Sequence, residues 1–424
     1  MEQKSDNRSP WLWVPTLYIA EGIPYFIVNV ISVTMFKRLG MSNGDLAFWT
    51  SLLYLPWSLK PLWSPFVDVI RTKRWWILLM QAVLTAAFAA LSLSVGPSTF
   101  VWTLIIFYIA AFASATHDIA ADGFYMIALD THRQSLFVGI RSTFYRIASV
   151  FGQGVIVVVA GLLEERLGDI PKAWSLTLVG CAVIFGLLAV WHTRVLPRVE
   201  TGSGADVSAS AIFKDFGRSF ASFFRKPGVW LAIAFMLLYR LPEAFSVKML
   251  SPFMLDPVAS GGLGLSTAQS GLVYGTVGVI ALTIGGILGG LFAARFGLRK
   301  SLWPMALALA LPCSVYLYMA LAQPSALWVV YLCVAFDQFG YGFGFTAYML
   351  YMIWFSDGEF KTSHYAICTA FMAFSMMIPG FFAGWMQEAL GYTGFFWVVM
   401  ACCLCTVAVT FVVRRKIDPS YGKK

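Results

Sequence analysis

The chain has 424 residues, 59% of them hydrophobic and only 12% charged, with a formal net charge of +9. Soluble domains carry about 25% charged residues, so this composition excludes an ordinary soluble enzyme, a disordered chain and a nucleic-acid binder. The excess of Lys and Arg is read instead as charge in cytoplasmic loops. The 36 glycines and 16% aromatics suit helices buried in lipid. All 7 cysteines (Cys181, Cys313, Cys333, Cys368, Cys402, Cys403 and Cys405) lie inside apolar runs. There Cys acts as a small hydrophobe, so no disulfide framework is expected. The polar stretch Met1 to Pro10 is short, and no cleavable signal peptide is expected before the first span.

A helix crossing a hydrocarbon layer of roughly 30 Å needs about 20 apolar residues. Twelve stretches qualify: 11–36, 46–70, 75–95, 99–128, 136–163, 174–194, 229–255, 267–293, 301–322, 326–355, 363–388 and 394–413. Pro24, Pro56, Pro61, Pro242 and Pro379 fall inside them and predict kinks, which a bundle tolerates by re-satisfying the freed carbonyls. With the N-terminus inside, 21 of the 30 Lys and Arg residues fall in cytoplasmic segments, 4 (Lys37, Arg38, Arg166, Lys172) in outer loops and 5 within spans. That bias predicts cytoplasmic termini.

The longest polar stretch, 195–228, divides the spans into two sets of six. Its first part, Glu200 to Ser210, is Ser/Gly-rich and reads as flexible. Its second part sets Phe213, Phe216, Phe220, Phe223 and Phe224 at helical spacing opposite Lys214, Asp215 and Arg218. This predicts an amphipathic helix, lying either on the inner leaflet or against the bundle. A weak internal repeat accompanies the division. Spans two and eight end in basic turns, Asp68 to Arg74 and Arg295 to Lys300. Spans four and ten end in an acid followed by a base, Asp130 to Arg133 and Asp357 to Lys361. Spans one and seven pair Glu with Pro, as Glu21 to Pro24 and Arg240 to Glu243. The predicted fold is therefore all-α, with twelve transmembrane helices in two six-helix bundles. Their bounds are 1–195, a linker at 196–228, and 229–424 with a cytoplasmic tail.

Each charge at the centre of a span costs about 2.5–3.5 kcal/mol on insertion scales. This chain nevertheless places Glu21, Lys60, His117, Asp118, Asp122, Arg141, Arg146, Arg240, Glu243, Lys248 and Asp337 in or near spans. Such groups should face a watery cavity or pair with one another. Asp118 and Asp122 are four apart and share a helix face. They suit proton coupling, with Glu21 and Glu243 as further candidates. Neutralisation by Arg141 or Arg146 on the next span is the alternative reading, and the two are compatible. His117 either titrates near neutrality or serves as a structural hydrogen-bond partner.

Arg141, Arg146 and Arg240 are candidates for binding carboxylate or phosphate through the guanidinium fork. Lys60, His117 and Asp337 join them as substrate-binding candidates. Lys248 is expected to snorkel toward an outer interface. Aromatics near these charges, Tyr25 and Tyr239 among them, either stack on sugar rings or belong to core and interface belt. Gly285, Gly286, Gly289 and Gly290 predict a close helix-packing face. No nucleotide motif, selectivity filter or metal-ligand set stands out. Cys402, Cys403 and Cys405 are expected to face lipid.

Two stretches carry a resemblance. The first runs Glu21-Gly-Ile-Pro-Tyr25 and on through Pro56-Trp-Ser-Leu-Lys-Pro-Leu-Trp-Ser-Pro-Phe-Val-Asp68. The second is His117-Asp-Ile-Ala-Ala-Asp-Gly-Phe124. Both resemble the branch of the major facilitator superfamily that holds the AmpG-like muropeptide permeases and the acetyl-CoA transporter family. Asp118, Asp122, Lys60, Trp63, Pro65 and Asp68 match that branch's motifs, while His117 stands where the branch carries Gln. The resemblance implies an inner-membrane symporter working by alternating access on a small-molecule substrate. By that analogy the substrate is an anionic saccharide-peptide of the GlcNAc-anhydro-MurNAc type, taken up for peptidoglycan recycling. No cofactor is expected, the drive being a proton gradient, and a monomer is expected in the bilayer. The other readings are transport of another organic anion such as acyl-CoA or a drug-like compound, a membrane sensor without flux, and, least supported, a membrane enzyme.

Overall fold

Apolar runs of this length can satisfy their backbone polar groups in lipid only by forming helices or a closed barrel. In a computed structural model, which describes residues 8–199, 209–419 and 421, every described element is helical. Among the described residues, nine helical stretches are long and apolar enough to cross a membrane. The N-terminal residues, residues 200–208, Lys423 and Lys424 lie outside the described set, as do the side chains of Asp68, Phe213 and Asp215.

Of the five prolines expected to kink spans, Pro24, Pro56 and Pro242 mark irregularities, whereas Pro61 and Pro379 lie inside continuous helix. The first stretch, Pro10–Arg38 (α1), carries Pro24 and loosens into a π-turn at Ile27–Ile31 immediately after it. The second predicted span is two helices, Asn43–Leu52 (α2) and Leu55–Val69 (α3), with Pro56 in the first turn of the latter. Pro has no N–H to leave unpaired there, and its fixed φ favours a fresh start. Then come Lys73–Leu93 (α4), Phe100–Ala128 (α5), a stretch over 131–167 (α6) with a π-turn at Val150–Ile156, and Ile170–Val195 (α7).

Ala209–Phe224 (α8) follows the linker. The seventh predicted span is broken into Val229–Leu238 (α9) and Leu241–Leu255 (α10), with Arg240 at the cap position and Pro242 and Glu243 in the next turn. Thr267–Phe296 (α11) contains a third π-turn at Gly271–Gly278. Leu298–Ala322 (α12) and Leu327–Ser356 (α13) precede Lys361–Arg414, which bends at Gly391, whose φ is 68°. Residues 361–390 (α14) and 392–414 (α15) are thus two helices.

Outward faces carry the apolar side chains expected against lipid, with Leu93 88% exposed and Trp230 72%. Inside, one cluster joins residues from Ala20 to Phe185, including Phe88, Phe107 and Trp174, and another joins Phe223 to Ile417 around Tyr239, Tyr348 and Phe355. The four glycines of α11 behave unequally. A Cβ at Gly285 would stand 2.1 Å from the Phe339 carbonyl and one at Gly289 2.7 Å from that of Phe343, whereas Gly290 has open space. Cys403 is buried, its thiol 3.3 Å from the Ala310 carbonyl, so it faces α12 and not lipid as expected.

The π-turns of α6 and α11 cross each other in backbone contact, and a Cβ at Gly275 would stand 2.1 Å from the Gln153 carbonyl. Beyond that crossing, at the end opposite the basic loops, the chain's first and second parts interlock. Lys37 pairs with Asp256 at 2.6 Å, and the Gly44 amide donates to Glu388 at 2.7 Å. Asn43 donates to Gln387, and Thr267 donates to Glu164, which also accepts from Arg38 and Trp174. At the basic end α8 settles the choice left open for it. Phe223 is fully buried against Phe355, His364 and Phe371, and Ser222 shares a hydrogen bond with His364, so this part of the helix packs on the bundle. Ala209 and Ser210, expected in the flexible stretch, are helical.

Replacing Gly275 with Leu should force the α6–α11 crossing apart. We expect a destabilisation of about 1–3 kcal/mol, typical of overpacking, read as a lower thermal midpoint of the detergent-solubilised protein. Gly290→Ala, with nothing within 4 Å, should leave the midpoint unchanged.

Candidate functional site

A carboxylate held in a helix bundle needs a counter-charge or water. Asp118 and Asp122 share a face of α5, and each takes its own base. Lys60 of α3 forms an ion pair with Asp118. Arg141 of α6 pairs with Asp122 at 2.8 Å, and the Tyr18 hydroxyl of α1 donates to the same oxygen at 3.1 Å. The Arg141 guanidinium stacks over Tyr18 at 4.5 Å and Tyr125 at 5.1 Å, which fixes its plane. These four charged side chains keep between 19% and 38% exposure, so the group lines a partly open cleft. Glu21 is buried one layer deeper, within electrostatic reach of both aspartates, and its Oε2 has no hydrogen-bond partner.

A second charged group sits at the α9–α10 break. Arg240 donates to Glu243 at 2.9 and 3.3 Å and to the Tyr341 hydroxyl at 2.9 Å. Its guanidinium lies over the rings of Tyr341, Phe345 and Tyr348 at 4.8–5.8 Å. Glu243 lies in the first turn of α10. Both side chains are nearly fully buried. Tyr25 packs edge-on against Trp57 at 5.2 Å. It lies within electrostatic reach of Asp118, Arg240 and Glu243, so it stands between the two groups.

Other candidates are placed elsewhere. His117 points away from its neighbour Asp118 into a buried chain: its Nε2 meets Gln81 at 3.0 Å, and Gln81 in turn meets His192 at 3.0 Å. That is the structural reading of His117. Tyr239 is fully buried, donates to the Gly344 carbonyl and stacks on Tyr348, so it supports the floor under Arg240. Asp337 is also buried and accepts from Tyr316 at 2.6 Å and Gln338 at 3.0 Å, within the packing of α12 against α13. Arg146 pairs with neither aspartate. It crosses to α11, donating to Thr283 at 3.3 Å.

Lys248 overturns the expectation that it snorkels: it is 5% exposed and donates to Thr50 of α2 at 3.2 Å. Tyr18 and Gln81, which complete the networks around Asp122 and His117, were not singled out by the sequence. The outer-loop cations Lys37 and Arg38 were placed there but not paired, because their partners Asp256 and Glu164 lie more than a hundred residues away.

The description "Major Facilitator Superfamily" matches residues 16–353. The chain is 25% identical over 411 residues to the Anhydromuropeptide permease of Escherichia coli K12, covering 95% of this chain and 79% of that protein. It is 22% identical over 414 residues to the Putative transporter AmpG 4 of Rickettsia conorii, covering 95% and 96%. In fold it is similar to a crystal structure of a D-xylose-proton symporter (TM-score 0.73, 14% identity, 98% and 99% covered). It is also similar to an inward-facing, unoccupied bacterial homologue of the human lysosomal transporter Spinster (TM-score 0.72, 15% identity, 95% and 96% covered).

Removing one partner of a buried ion pair strands the other charge, at a cost of about 3–5 kcal/mol. Glu243→Gln should therefore destabilise the solubilised protein strongly. The double replacement Arg240→Met with Glu243→Leu should restore most of the loss, as a thermal-denaturation double-mutant cycle would show.

Proposed function

Because the chain belongs to the Major Facilitator Superfamily, we propose that it is a proton-coupled importer of an anionic saccharide-peptide, of the muropeptide type, in the inner membrane. The observation that carries the reading is the pair of α5 carboxylates, each bound to a base on a different helix and each partly open to solvent. Protonating Asp118 or Asp122 releases Lys60 or Arg141. A freed cation in a cleft is a site for substrate carboxylate, and the lost ion pair loosens α5 from α3 or α6. One event thus links proton, substrate and helix movement. The name of the Escherichia coli relative supports the muropeptide class. Tyr25 and Trp57 between the two charged groups supply flat faces for sugar rings.

The architecture in this reading is twelve spans with both termini cytoplasmic. The α2–α3 pair, α13 and the two helices on either side of Gly391 complete the set begun by the unbroken stretches. The halves are 1–195 and 229–424, joined by 196–228; three core clusters each draw on one part and adjoining linker residues, which supports that division, while two others join the parts. The interlocked end then faces outward, and the cleft of Asp118 and Asp122 opens to the cytoplasm, where substrate is released. No cofactor takes part.

The reading is tested by uptake of labelled GlcNAc-anhydro-MurNAc peptide into proteoliposomes. A proton gradient should drive accumulation in the parent protein. Asp118→Asn or Asp122→Asn should abolish accumulation while sparing counterflow at equal pH. Transport indifferent to the gradient removes the coupling. If both Asn variants still accumulate substrate, the coupling role passes to Glu21 or Glu243.

A further inference from the structure

Lys248 lies on α10 at the interface between the two parts of the chain, and its surroundings are unusual for a buried ammonium. Among the described residues no carboxylate is within ion-pair distance of it. One of its three N–H donors meets Thr50 Oγ1 at 3.2 Å, and the Tyr54 ring stands 5.4 Å away. The Thr50 hydroxyl spends its own proton on the Leu46 carbonyl at 2.6 Å. Beside it, Ser51 Oγ is buried and has no hydrogen-bond partner. Ser51 and the stem of Lys248 pack against the same glycine: a Cβ at Gly380 of α14 would stand 2.1 Å from Ser51 Oγ and 3.2 Å from Lys248 Cε.

The pocket therefore holds a surplus of donors, a cation and a free hydroxyl, with almost nothing to accept from them. A Met or Leu would fill the same space without the cost of burying an ammonium, so packing does not account for the residue. An anion would. In this conformation there is no room for one, because α2 and α14 are in backbone contact. A Cβ at Gly384 would stand 1.8 Å from the Asn43 carbonyl. The pocket is split between α2 on one side and α10 and α14 on the other, and it opens only when these helices part at the outer end.

We infer that Lys248, with Ser51, forms an outward-exposed subsite for a carboxylate of the substrate, filled while the outer end is open and emptied as α2 closes onto α14. The inference deepens the proposed function and rests on it for the substrate: the peptide carboxylates enter at Lys248, one aromatic layer outward of the Arg240 and Asp118 groups, with Tyr54 and Tyr25 between. Closure strips the carboxylate from Lys248 and leaves the cleft cations as its nearest partners. Lys248 is a specificity-determining residue here and takes no part in moving the coupled proton.

Two measurements test this. In the first, uptake of the disaccharide-peptide with free carboxylates is compared with uptake of the same compound with its carboxylates amidated, in the parent protein, Lys248→Met and Lys248→Arg. Loss of one charge-assisted hydrogen bond should raise KM for the acidic form roughly ten- to a hundredfold in Lys248→Met, with little change for the amide, and Lys248→Arg should recover most of the difference. Equal loss for both forms would mean a packing role and overturn the inference.

The second measurement is independent of transport. A membrane-impermeant amine acylating reagent is applied to right-side-out vesicles of the parent protein, and modified lysines are identified by peptide mass spectrometry. Exposed Lys172 and Lys300 report the outer and inner faces. Lys248 should be modified together with Lys172, and the acidic substrate should protect it where the amide does not. Modification of Lys172 alone overturns the inference. If the parent protein moves neither form of the sugar-peptide, the proposed substrate falls, and the labelling still decides whether Lys248 opens outward.

Discussion

The structure turns on charge held in a medium that cannot solvate it. A carboxylate or guanidinium within a lipid-spanning bundle is tolerated only with a partner or with water, and here the partners always come from a different turn or a different helix. Asp118 with Lys60, Asp122 with Arg141 and Tyr18, and Arg240 with Glu243 and Tyr341 bind α1, α3, α5 and α6 on one side and α9, α10 and α13 on the other. The same contacts that make the bundle cohere are the ones a proton or an anionic substrate can break. In the proposed function, stability and mechanism therefore draw on one set of ion pairs.

The two ends of the molecule are built differently, and that difference orders the rest. At the end away from the basic loops, glycines bring backbones into contact at the α6–α11 and α2–α14 crossings. Polar groups there bridge helices: Glu164 alone receives bonds from Arg38, Trp174 and Thr267. At the basic end α8 packs through Phe223 against α14 while also touching α3, so it straps segments from both sides of the linker. A seal of small residues opens by separation without unpacking large side chains, which suits the parting and rejoining that the proposed function asks of this end. Lys248 and Ser51 sit just inside that seal, which is why their unmatched donors bear on entry.

Much of this was legible in the sequence. Long apolar runs and the position of Pro24, Pro56 and Pro242 located helices and their breaks, because those features act within a few residues of chain. The i, i+4 spacing of Asp118 and Asp122 placed both on one face, and Arg240 with Glu243 paired as their spacing implied. The remainder is tertiary. Nothing local distinguishes a cation that pairs with Asp122 from one that does not, and Arg146, five residues after Arg141, reaches α11 instead. His117 was open to either a titrating or a structural role, and one step along a helix from Asp118 turns its side chain by about 100°, to Gln81. Lys248 looked peripheral from its place near a span's end, yet α2 and α14 cover it. The π-turns of α1, α6 and α11 left no signal in apolar periodicity.

The central claim is that breaking the α5 ion pairs couples proton entry to substrate entry. The most direct measurement is luminal pH, followed with an entrapped pH dye in proteoliposomes held at zero membrane potential, when unlabelled disaccharide-peptide is added outside with no imposed gradient. Coupling predicts that the lumen acidifies in step with the sugar-peptide taken up, and that the acidification disappears in Asp118→Asn or Asp122→Asn. Uptake by the parent protein at constant luminal pH would contradict it.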